Sequence, residues 1–115
     1  MSEIALSKEG NTLIRAIYKE YKRRRKAGTP KIQARSFGDS DAIQTNIVDK
    51  WSINDIDEAC RELHGAGILN CFFIDNTVGE SELTTHGIAY AESYTKKKFS
   101  TIISILDRLK ALLPW

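Results

Sequence analysis

The stretch from Leu63 to Leu83 restricts this chain more than any other. Leu63-His64-Gly65-Ala66-Gly67 ends a helical stripe with two glycines in three residues. Ile68 to Ile74 is apolar and aromatic, which predicts a strand. Asp75-Asn76-Thr77-Val78-Gly79 predicts a turn, and Glu80-Ser81-Glu82-Leu83 a returning strand. The chain therefore holds one β-hairpin, and its remaining periodic segments are helical.

Before the hairpin, Ser7 is a good N-cap, and Leu13, Ile14, Ile17, Tyr18 and Tyr21 form one helical stripe. Gly28 and Pro30 end that helix at about Ala27. Lys31 to Phe37 alternates polar and apolar, which predicts a short strand or extended connection. Asp39, Ser40 or Asp41 caps a second helix with Ala42, Ile43, Ile47 and Val48 inward and Trp51 at its close. Ser52 caps a third, from Ile53 to His64, with Ile53, Ile56, Ala59, Cys60 and Leu63 inward. After the hairpin, Thr84 or Thr85 caps a fourth helix through Ile88, Ala91 and Tyr94. Lys96-Lys97-Lys98 interrupts the pattern. Phe99, Ile102, Ile103, Leu106, Leu109 and Leu113 then make a last stripe. Leu13, Ile17, Ile47, Ile56, Leu63 and Leu83 are the expected core.

The 115 residues suit one core, and the net charge of +2 hides a segregated pattern. Residues 15–35 carry +8, residues 39–92 carry −9, and residues 96–110 carry +4. A partner that reads charge would meet two basic segments and one acidic one. No apolar run approaches the ~20 residues of a membrane span. The first residues lack a basic leader region, so no secretory signal is visible. Two cysteines without an export signal are expected as reduced thiols, and the chain as cytoplasmic.

The element order is helix, short strand, helix, helix, hairpin, helix, and it resembles a winged helix-turn-helix. Two local sequences support the resemblance. Glu62-Leu63-His64-Gly65-Ala66-Gly67-Ile68-Leu69 is similar to the end of a second turn-helix element entering the first wing strand. Leu83-Thr84-Thr85-His86-Gly87 is similar to the L-T-x-x-G that leaves the second wing strand. In that motif the Leu plugs the core, the Thr caps, and the Gly allows close helix packing. Residues 13 to about 100 also resemble small winged-helix proteins of Gram-positive bacteria and their prophages. Ile17-Tyr18-Lys19-Glu20-Tyr21, Ala34-Arg35-Ser36-Phe37-Gly38, Asp57 to Leu63 and Glu82-Leu83-Thr84 carry that resemblance. It implies an α+β winged-helix domain over residues 1–95, with an amphipathic helix over 96–115. It implies no reaction.

Several features admit more than one role. Lys22-Arg23-Arg24-Arg25-Lys26, extended by Lys31 and Arg35, is either a solvated helix end that complements the helix dipole or a phosphate-contacting patch. On the third helix, Asn54, Asp55, Asp57, Glu58, Arg61 and Glu62 are expected to face outward. Only Asn54 and Arg61 suit the reading of base edges, and four carboxylates there oppose docking in a major groove. Cys60, His64, Cys71 and His86 are spaced unlike common zinc ligands and are expected to be packing residues. No Gly-rich phosphate loop or nucleophile elbow occurs, so neither an enzyme nor a cofactor is expected. The stripe from Phe99 to Leu113 packs on helix 1, pairs with a second copy, or lies on a membrane surface.

The expected function is that of a small DNA-binding regulator, with Lys22, Arg23, Arg24, Arg25, Lys26, Lys31, Arg35, Asn54 and Arg61 as its contact residues. The alternative is a protein-interaction module whose acidic third helix and hairpin meet a basic partner, in one form by imitating nucleic acid. A face shared by the basic segment and Arg61 favours DNA. Separate faces favour the interaction module.

Overall fold

A computed structural model describes residues 5–94, beginning just before a helix capped by Ser7. The Ser7 hydroxyl accepts from the Gly10 N–H, and α1 runs Lys8–Lys26. Leu13, Ile14, Ile17 and Tyr21 form its buried stripe. The helix closes at Ala27, where Gly28 N–H donates to Arg25 O and Thr29 N–H to Arg24 O.

The next segment corrects the sequence expectation. Lys31–Ala34 is one helical turn, α2, rather than a strand. Pro30 precedes it with φ preset for a helix start, and only Ile32 is β-branched among its four residues. The extended character survives only at residues 36–37, after Arg35 closes the turn in a helical conformation. Ser36 bridges antiparallel to Glu82, Phe37 N–H donates to Ser81 O, and Leu83 N–H donates to Arg35 O.

Asp39 caps α3, Ser40–Asn46, through the Ala42 N–H. This helix stops earlier than the apolar pattern suggests. Ile47 and Val48 lie past its end in a turn, and Ile47 is half-buried rather than buried. The Gln44 amide donates to Trp51 O and pins that turn. Ser52 caps α4, Ile53–Gly65, as the spacing predicts. Its buried stripe is Ile56, Ala59, Cys60 and Leu63, joined by Asp57, while Ile53 at the first position is half-buried rather than buried. At its end Gly67 adopts φ +78, which L-residues with a side chain rarely do. Gly67 N–H donates to His64 O and Ile68 N–H to Leu63 O, and Leu63 and Ile68 are both fully buried.

β1, Leu69–Ile74, pairs antiparallel with β2, Thr77–Leu83. The turn is shorter than expected. It is Asp75-Asn76 alone, with φ +51 and +67, as a tight two-residue hairpin requires. Thr77 and Val78 belong to the strand, and Gly79 is the extra residue of a bulge between the Phe72–Glu80 and Phe73–Val78 pairs.

Residues 85–94 form the last described helix, α5. Thr84 caps it by accepting from Gly87 N–H at 2.8 Å. The Thr84 hydroxyl also lies 2.6 Å from Gly67 O and 2.9 Å from Ile68 O. A Cβ at residue 87 would overlap the Ile68 carbonyl, so glycine sets how closely α5 meets the hairpin. Leu83 is fully buried. The L-T-x-x-G residues therefore do what the sequence assigns to them.

The described residues form an α+β arrangement of five helices and one antiparallel hairpin. Leu13, Ile17, Ile56, Leu63 and Leu83 meet in one core beneath the hairpin's inner face. The stripe Phe99, Ile102, Ile103, Leu106, Leu109 and Leu113, with the homodimer expected through it, lies outside the described residues. No described helix is long and apolar enough to cross a membrane.

Candidate nucleic-acid interface

The outward face of α1 is a row of cations. Arg15, Lys19, Lys22 and Lys26 recur at spacings of four, three and four, which places them on one side of a helix. All four are exposed, opposite the buried stripe of Leu13, Ile17 and Tyr21. The row rises about 16 Å along the axis. Among the described residues none of the four is in an ion pair. The Lys22 ammonium sits 5.1 Å from the Tyr18 ring centre and the Arg15 guanidinium 5.8 Å from that of Tyr94. Arg15 and Lys19 were not among the residues singled out from sequence. Their spacing to Lys22 and Lys26 was the available signal, and the denser run at 22–26 masks it.

Within that run the structure separates three arginines by role. Arg23 is exposed and donates through Nε and Nη2 to the Glu20 carboxylate, both at 2.7 Å. Arg24 is largely enclosed. Its Nε reaches Glu20 at 2.9 Å, its Nη1 donates to Ser36 O at 2.7 Å, and its guanidinium lies 4.6 Å from the Phe37 ring centre. Arg24 thus fastens α1 to the extended segment 36–37. Arg25 donates to Thr29 O at 3.1 Å, closing the helix end. The Arg23 hydrogen bond, reinforced by Arg24, lowers the Glu20 carboxyl to about 2. Arg35 pairs with Glu82 at 2.9 Å, across the Ser36–Glu82 bridge. Lys26 and Lys31 are exposed.

The third-helix residues of the sequence reading now fall on α4. Asn54 and Arg61 are exposed there. Arg61 Nη2 donates to Asn76 O at 2.9 Å, and its guanidinium lies 5.5 Å from the Phe73 ring centre, so it braces the hairpin tip. Asp57 does not face outward. It is buried, accepting from Ser40 Oγ and from Val78 N–H, and it joins α3, α4 and β2. Glu62 is half-buried and accepts from Ser7. The exposed acids of α4 are therefore Asp55 and Glu58. They line one cleft with Ser7, Glu9 and Glu62.

The α1 row and Arg61 each lie on the side of their helix away from the common core. The C-terminal end of α1 is tied to residues 34–37, beside Glu82. Arg61 is tied to Asn76 in the hairpin turn, six residues before Glu82 and about 20 Å from it at strand rise.

Of the four Cys and His residues, the two cysteines pack in the core as expected, while His64 and His86 are exposed rather than packing residues. Cys60 and Cys71 are buried, and His64 Nδ1 accepts from Cys71 N–H at 3.1 Å. His86 is exposed on α5.

Comparison with protein-family models, with curated proteins and with solved structures finds no match to this chain.

Proposed function

We propose that this chain is a winged-helix domain that holds duplex nucleic acid by its phosphates, through the outward face of α1. The observation that carries the proposal is the row Arg15, Lys19, Lys22 and Lys26, exposed and free of ion pairs among the described residues. Lysine and arginine in such a row displace condensed counterions and gain affinity without reading sequence. Lys31 and Arg23 extend the same basic end of the molecule. The winged-helix assignment rests on the order α1, the single turn α2, residues 36–37 paired to β2, α3, α4, hairpin, α5. A regulatory role in the cytoplasm of a bacterium or prophage host fits the family that the sequence resembles.

Base reading has weaker support than phosphate contact. Arg61 is engaged at the hairpin tip, and Asp55 and Glu58 flank the surface where it would work. The domain should bind unrelated duplexes alike. Fluorescence titration with several sequences should give dissociation constants within about threefold of one another, and Arg61→Ala should leave that spread unchanged. A preferred sequence that loses its advantage of ~1–3 kcal/mol in Arg61→Ala would restore base reading by α4.

One observation favours a second function. The acidic cleft of Glu9, Asp55, Glu58 and Glu62 lies beside Ser7 at the start of α1, while the cationic row runs on to Lys26 at its end. A protein-interaction module would use the acidic cleft against a basic partner. Charge reversal at Asp55 and Glu58 would then abolish partner capture and leave duplex binding unaltered.

A further inference from the structure

Cys60 on α4 and Cys71 on β1 are both buried in the core, where a pair of thiols has chemistry that a pair of alanines would lack. Cys60 is fully buried and Cys71 is 8% exposed. Cys71 Sγ lies 4.0 Å from Cys60 O, which brings the Cys71 thiol against the Cys60 residue. His64, one helical turn after Cys60, accepts the Cys71 backbone N–H and fixes β1 against the same face of α4. Helix and strand thus hold both sulfurs in register through contacts independent of the thiols.

We propose that Cys60 and Cys71 are a paired modification site, which a small-molecule disulfide oxidises to an intramolecular cross-link between α4 and β1. Cys71 is the first to react. It is the more exposed of the two, and the neighbouring Cys60 thiol holds it below its ordinary range, while Cys71 and burial push Cys60 up. The Cys71 thiolate attacks one sulfur of the external disulfide and expels a thiolate, leaving a mixed disulfide. Cys60 then loses its proton and attacks Cys71 Sγ, expelling the second thiolate. Two protein thiols are oxidised and one external disulfide is reduced to two thiols, so electrons and protons balance. The sulfurs must close to ~2.05 Å, and with Cys71 Sγ already 4.0 Å from Cys60 O this calls on side-chain rotation and adjustment of the strand. The cross-link would lock the hairpin onto α4, the helix that carries Asn54 and Arg61. It rests on none of the surface charges and holds whether or not α1 binds nucleic acid.

The test equilibrates the full chain in buffers of reduced and oxidised glutathione, in the native state and in concentrated urea, followed by acid quench and intact-mass measurement. Equilibration removes slow access to a buried thiol as an explanation. The native chain should lose two hydrogens at a buffer about tenfold or more reducing than the unfolded chain needs, because the fold pre-pairs the thiols. Peptide mapping should join residues 60 and 71, and neither Cys60→Ser nor Cys71→Ser should show the loss. The proposal is overturned if the native chain needs an equal or more oxidising buffer. It is also overturned if the product is a glutathione adduct or a link between two chains.

Discussion

The carboxylate of Glu62, in the last turns of α4, caps the first turn of α1 by accepting from Ser7 N–H at 2.7 Å and from Ser7 Oγ at 2.6 Å. In a local capping box the third helical residue supplies that carboxylate. Here that position is Gly10, and a Cβ there would fall on the Glu62 carboxylate itself. Ser7 in turn accepts from Gly10 N–H, so one hydroxyl links the helix start to a residue 55 positions away. The acid also complements the positive end of the α1 dipole.

Glu62→Ala should therefore lower stability by ~1–2 kcal/mol, the usual range for a lost cap. Gly10→Ala should cost a similar amount by displacing the same carboxylate. The double variant should cost clearly less than the two together, since one interaction is lost twice. Urea unfolding of the three variants measures this. Strictly additive costs would mean that Gly10 and Glu62 act independently.

Asp57 should matter more than any exposed acid. Its carboxylate is buried and accepts from Ser40 Oγ and Val78 N–H. Asp57→Ala leaves Val78 N–H without this acceptor and Ser40 Oγ with only its longer contact to Val78 O at 3.5 Å, and should cost about 3 kcal/mol. Glu58→Ala, one residue on and exposed, should stay within ~0.5 kcal/mol of the parent. Equal effects in denaturant melts would place Asp57 on the surface.

Much of this architecture was legible because local signals agreed. Ser7, Asp39, Ser52 and Thr84 all cap the helices they precede, and the glycine stop after Leu63 ends α4 where expected. The failures share a cause, which is long-range pairing that no local pattern records. Lys31–Ala34 alternates like a strand, yet pairing with β2 begins only at Arg35. Thr77 and Val78 read as turn because the bulge at Gly79 places the glycine inside the strand. Asp57 and Glu62 looked like one solvated acidic face with Asp55 and Glu58. Their partners, Ser40, Val78 and Ser7, are distant in sequence and drew two of the four acids inward. The same holds for Arg24, which sits in a run of exposed cations but at the helical angle of the buried stripe.

Acid should weaken the end of α1. Glu20 is held to about 2 in the folded chain against an ordinary 4.5, so its pairing with Arg23 and Arg24 stabilises the fold above pH ~4.5. That contribution is lost as pH falls from 4.5 toward 2 and the carboxylate takes up a proton. Glu20→Gln should lie below the parent in stability at neutral pH, with the gap closing across that window. Thermal melts at a series of pH values follow it. A gap that widens with acid would contradict the ion-pair account.

The most direct measurement of the α1 face is the salt dependence of duplex binding. The full chain should bind mixed duplexes at about 50 mM salt, with log affinity falling against log salt at about −0.9 per phosphate neutralised. Replacing Lys19, Lys22 and Lys26 by Ala should weaken binding to every duplex and flatten that slope by up to about three units. Arg24→Ala should instead act on stability, through the lost tie to Ser36. Binding no tighter than ~10⁻⁴ M at that salt, or a slope unmoved by the triple replacement, would contradict phosphate recognition by α1.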